Sequence, residues 1–82
     1  MKSQIEIYTM QKVKERRLQL EISQRYLADC LNIHHSYVSL VEDMDSDAAY
    51  NLDHLNEIAI VLECSVKDFI PDKPYRNNKK KQ

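Results

Sequence analysis

Eighty-two residues with no glycine, no tryptophan and two prolines, at a mean hydropathy of −0.62, suit one small helical domain and leave little room for a second, catalytic one. No apolar run approaches the roughly 20 residues that cross a bilayer, and the opening lacks the charged-then-apolar pattern of a secretory signal, so a cytoplasmic protein without a membrane partner is expected. The formal net charge of −1 conceals an uneven distribution: six basic and five acidic side chains in residues 1–42, one and eight in 43–72, five and none in 73–82. The corresponding nets of +1, −7 and +5 set an acidic second half beside a basic tail.

Residues 1–8 read as an N-terminal arm, and the first helix is expected from about Met10 to Leu20. Thr9 is its candidate cap, and Met10, Val13, Arg17 and Leu20 recur along one stripe, with Val13 and Leu20 buried. Ser23 is the best cap in the chain and opens a second helix whose Leu27, Ala28 and Leu31 face inward. Asn32, tolerant of left-handed backbone, makes the turn. A third helix over His35–Glu42 turns Val38 and Val41 to the core and leaves His35, Ser36, Ser39 and Leu40 on other faces. Two short helical patterns around a sharp turn at Leu31, Asn32 and Ile33 are the signature of a helix-turn-helix, which makes nucleic acid the leading candidate ligand.

After an acidic linker, Asp43–Asn51, the residues Leu52, Leu55, Ile58, Ala59 and Leu62 keep helical spacing and mark a fourth helix. Ser65 and Asp68 have capping-box spacing, so Val66, Phe69 and Ile70 predict a short fifth helix stopped by Pro71. The folded domain is thus expected over residues 9–71, followed by a polar, disordered tail over 72–82. Cys30 and Cys64 belong to no CxxC pair and read as free structural thiols. The adjacent His34 and His35 point apart on a helix and lack a third ligand, so no metal site is expected.

The pieces VKERRLQLEISQ, LADCLNI, SYVSLVE and LDHLNEIAIVLECSVKDFI occur in an order and spacing that resemble the phage repressor and Cro-type helix-turn-helix family, the xenobiotic-response-element class of regulators, over about Val13–Ile70. The resemblance implies an all-α, compact five-helix, lambda-repressor-like domain that binds operator DNA as a homodimer, with its third helix in the major groove. By position, Gln24 would hold a phosphate and brace the recognition helix. His35, Ser36, Ser39 and Leu40 would meet base edges, and His34 would lie near the DNA backbone. Arg17 and Glu42 match a pair that is buried in several relatives, against the alternative of an ordinary surface pair worth at most about 1 kcal/mol. Tyr37 is open between a phosphate contact through its hydroxyl and a cover over the core edge.

This chain departs from that family in three respects. The segment from His34 to Glu42 has no Lys or Arg and is followed by acidic Asp43, Asp45 and Asp47, so Arg25, Lys12, Lys14, Arg16 and the tail would have to neutralise phosphate. Glu21, Asn32, Met44 and Glu63 stand near helix ends where relatives prefer glycine. Ile60 is apolar on the outer face of the fourth helix, which reads either as a scattered surface hydrophobe or as part of a dimer patch. A sequence-specific transcriptional regulator, a repressor or controller, is the expected function, with no catalysis and no cofactor. The alternative is a protein-interaction module or antitoxin-like partner on the same fold, with little or no DNA binding.

Overall fold

The computed structural model describes residues 1–76, and those residues form four α-helices and one 3-10 turn, with no strand among them. The helices are α1 (Gln4–Gln19), α2 (Gln24–Leu31), α3 (Ser36–Glu42) and α4 (Leu52–Val61). The predicted fifth helix is instead the four-residue 3-10 turn Val66–Phe69; Ser65 and Asp68 close its capping box, and Pro71 follows within two residues. The all-α expectation holds in this form.

The largest difference from expectation lies at the chain's start. Residues 4–8, expected in an arm, are the first turns of α1, which begins at a capping box: Ser3 Oγ accepts the Glu6 N–H at 3.2 Å, and Glu6 Oε1 accepts the Ser3 N–H at 2.9 Å. Thr9 is therefore no cap. It sits buried in mid-helix and donates its hydroxyl to Phe69 O at 2.9 Å, tying the 3-10 turn to α1.

Three helices end in one shared device. Glu21, Asn32 and Glu63 each adopt left-handed backbone, at φ of 58°, 57° and 55°. In each case the left-handed N–H reaches back three residues and the next N–H reaches back five, as Ile22 does to Arg17 O, Ile33 to Ala28 O and Cys64 to Ala59 O. This Schellman closure satisfies carbonyls that a helix end would leave unpaired. The residue after each left-handed position, Ile22, Ile33 or Cys64, packs against the core. Met44, the fourth position expected to favour glycine, is not left-handed.

The core gathers Val13, Leu27, Ala28, Val38, Leu55, Ile58, Ala59, Leu62 and Phe69, all buried. Packing joins α2 to α3 and α4, and α1 to α3 and the 3-10 turn. Two stripe positions fall outside it. Leu20 is 37% exposed because the left-handed Glu21 ends α1 there, and Leu52 is 76% exposed as the first residue of α4. No helix among the described residues is long and apolar enough to cross a membrane.

The predicted folded limit near Pro71 is also too early, since Tyr75 packs edge-on against Tyr8 of α1 with ring centroids 6.5 Å apart. The rest of the expected tail, residues 77–82, lies outside the described residues.

Candidate nucleic-acid interface

Helix α3 is short, and its position is fixed from behind. Val38 and Val41 are fully buried, while His34, His35, Ser39 and Leu40 are exposed and Ser36 is half-buried. The periodicity that separates an inner from an outer set in the sequence thus places three of the four outer residues, and His34 ahead of them, on open surface.

A buried polar network locks the far end of the helix. Arg17 Nε and Nη2 each donate to a separate oxygen of Glu42 at 2.9 Å, and the two side chains are 7% and 4% exposed. Arg17 Nη1 donates to Ile22 O at 2.6 Å, and Gln24 Nε2 donates to Glu42 Oε1 at 2.9 Å. The Arg17 fork therefore joins α1, the α1–α2 turn and α3, while Gln24 adds the start of α2. A fork-to-carboxylate geometry with its remaining donor on a carbonyl is the form in which a buried pair is well satisfied. The buried alternative for Arg17 and Glu42 is the one observed, and the bracing part of the Gln24 expectation is present.

Tyr50 stands beside this network without joining it. Its hydroxyl is buried and has no hydrogen-bond partner among the described residues. Burial, helped by the negative charge of Glu42, pushes its pKa well above the ordinary tyrosine value.

At the front of α3, the Ser36 N–H donates to His34 Nδ1 at 3.2 Å, and Ser36 Oγ lies 2.8 Å from the same nitrogen. An N–H cannot accept, so the Ser36 N–H contact assigns Nδ1 as the acceptor nitrogen, the tautomer with its N–H on Nε2. The rings of His34 and His35 stack with centroids 4.4 Å apart, because only the later part of this segment is helical and the expected divergence does not arise. Ser39 Oγ donates to Ser36 O at 2.8 Å.

Two expected phosphate contacts fare differently. Arg25 is exposed on the first turn of α2. Tyr37 instead donates its hydroxyl to Ala49 O at 2.7 Å and sets its ring 5.7 Å from that of His54, so its proton is not free for phosphate. It serves the other alternative, as a strut between α3 and the linker before α4.

The acidic loop after α3 is pinned by the first two residues of the chain, a role that their residue types do not suggest. Lys2 is buried, and its Nζ donates to Asp43 O at 2.8 Å and to Ser46 O at 2.5 Å, while the Met1 ammonium pairs with the Asp47 carboxylate. That pairing holds the Asp47 carboxyl below its usual range. The Asp43 carboxylate accepts the Asp45 N–H at 2.9 Å. Two cations thus sit within the loop that carries Asp43, Asp45 and Asp47.

Both thiols are free, but Cys30 is exposed on α2 and is no core residue. Cys64 is half-buried, and burial raises its pKa.

No protein-family model and no curated protein matches this chain. Its fold is similar to part of several crystal structures of HppE. These include the FeII form in complex with substrate, at a TM-score of 0.71 and 23% identity, covering 92% of this chain and 42% of that one. The CoII form with substrate gives 0.72 and 23%, covering 92% and 41%. The CoII form with Tris buffer gives 0.74 and 22%, covering 95% and 43%. The chain thus spans about two fifths of the length of the solved chains it resembles, and at these identities the likeness concerns the fold alone.

Proposed function

We propose that this chain is a sequence-specific DNA-binding transcriptional regulator, a repressor or controller, that inserts α3 into the major groove as a homodimer and performs no catalysis. The observation that carries this reading is the division of α3. Its inner side is fully buried and clamped through Glu42 to Arg17 and Gln24, while its outer side presents His35, Ser39 and Leu40 to solvent. A reading element must be rigid behind and open in front, since a loosely held helix would lose affinity to the entropy of ordering it on the duplex. The α2–turn–α3 unit, with Asn32 as its left-handed pivot, supports the same reading, as does the resemblance of the sequence to Cro-type regulators. Gln24 and Arg25, on the first turn of α2, and His34, ahead of α3, stand where phosphate donors belong in that arrangement.

Selection of bound duplexes from a random pool tests the proposal. The expected product is an inverted repeat whose half-sites lie about 10 base pairs apart, with retention that weakens as salt rises. Failure of any duplex to be retained would overturn it.

A second reading, a protein-interaction module on the same fold, draws on one observation: the α3 face has no Lys or Arg and adjoins Asp43 and Asp45. The HppE likeness, in which a comparable fold forms part of a longer chain, is compatible with such a role. The same selection separates the two, because an interaction module retains no duplex.

A further inference from the structure

We infer that the half-site read by α3 is built on A·T pairs, recognised through the thymine methyl by Leu40 and through the adenine amino group by the hydroxyl oxygens of Ser36 and Ser39. This inference rests on the DNA-binding reading above and adds the class of sequence to it.

The location of the hydroxyl protons decides what this face can offer a ligand. With His34 Nδ1 as the acceptor of the Ser36 N–H, the Ser36 hydroxyl 2.8 Å away is assigned as a second donor sharing that lone pair. The Ser39 hydroxyl donates to Ser36 O. Each hydroxyl has one proton, and both protons are engaged within the protein. The two oxygens therefore present lone pairs.

Leu40 follows at once in the sequence, 45% exposed, and lies one helical turn beyond Ser36 on the same side. The outer face thus combines acceptors with an apolar tip. No Lys or Arg lies between His34 and Glu42, so the strong bidentate donor to guanine O6 and N7 is absent. His35 contributes an imidazole stacked on His34, and a ring nitrogen of that kind can meet N7 of either purine without choosing between them.

The major groove displays few groups that suit such a face. Amino donors occur on adenine N6 and cytosine N4, and an apolar group occurs only as the thymine C5 methyl. Both kinds of pair show one amino donor and two acceptors in the major groove, so the hydroxyl oxygens alone do not choose between them, but a C·G pair has no methyl for Leu40 to meet. An A·T pair supplies the amino donor and the methyl together. Complementarity therefore selects A·T at the positions that Ser36, Ser39 and Leu40 face.

The test uses the full chain and duplexes recovered from the random pool. Each thymine of the recovered half-site is replaced in turn by deoxyuridine, which removes only the methyl, and Kd is measured at fixed salt for the wild type and for Leu40→Ala. The expected result is A·T pairs in the half-site and one position at which deoxyuridine weakens the wild type by about 4-fold, the worth of one buried methyl group, while leaving Leu40→Ala unaffected. Leu40 is a surface residue, so the variant folds. Half-sites made of G·C pairs, or a methyl effect equal in both proteins, would overturn the inference while leaving DNA binding intact. A chain that retains no duplex would overturn both.

Discussion

Tyr50 shows how a single atom shapes stability. Its hydroxyl is buried without a partner among the described residues, a condition that typically costs about 1–3 kcal/mol, yet the ring packs edge-on against His54 at 6.1 Å. Tyr50→Phe keeps the ring and removes the orphan atom, so the variant should be more stable than the wild type by about 1 kcal/mol in urea denaturation. Linkage gives a second signature. The folded-state pKa lies above the ordinary 10.0, so the unfolded chain loses this proton first, and stability is full below pH 10 and falls as pH rises above it. The Tyr50→Phe advantage should therefore grow in that alkaline window, and an advantage independent of pH would refute the assignment. Glu63 offers a companion case. A residue other than glycine at φ of 55° is strained by about 1 kcal/mol, so Glu63→Gly should stabilise despite the greater freedom of its unfolded chain. Thermal unfolding reads the sign directly. The left-handed positions at Glu21, Asn32 and Glu63 were legible because helical periodicity stops at each of them. Tyr50 was not, since nothing in a polar linker distinguishes a buried tyrosine from a surface one.

At the level of the elements, α3 depends on partners distant in sequence. Arg17→Ala or Glu42→Ala leaves an unpaired charge in a nearly sealed site and should each lower the unfolding free energy by about 3–5 kcal/mol. Gln24→Ala removes only one bond to the same carboxylate and should cost about 1 kcal/mol. Losses within experimental scatter for either charged residue would show the pair to be dispensable. Inward stripes revealed α2, α3 and α4 in the sequence, because Leu27 and Leu31, Val38 and Val41, and Leu55, Ile58 and Leu62 each recur at helical steps. The start of α1 was misplaced even though Ser3 and Glu6 have the spacing of a capping box. Its first turns carry few inward residues, so periodicity is weak where that cap stands. Nor could spacing reveal that Val66–Phe69 winds as a 3-10 turn: four residues are too few for a period to distinguish 3-10 from α winding. The roles of Tyr37 and Lys2 depend on backbone carbonyls of Ala49, Asp43 and Ser46, groups that no residue letter records.

Across the whole molecule the decisive quantity is the placement of charge. The acidic residues cluster in positions 43–72, and the outer side of α3 carries no fixed cation, so under the proposed DNA-binding function attraction to a duplex would come from Lys12, Lys14, Arg16, Arg25 and the basic residues of 73–82, among them the lysines at 79–81. Arg16 is partly committed, since its Nε donates to Leu62 O at 3.0 Å at the end of α4. Replacing Lys79, Lys80 and Lys81 by glutamine should weaken duplex binding and flatten its salt dependence by up to about 0.9 in log–log slope for each phosphate no longer neutralised, while the preferred sequence stays the same. An unchanged slope would place those lysines outside the interface. The pairing of the Met1 ammonium with Asp47 has an effect of its own. A formyl or acetyl group on that nitrogen erases its positive charge, and the stretch behind α3 then exposes one more bare carboxylate toward any polyanion.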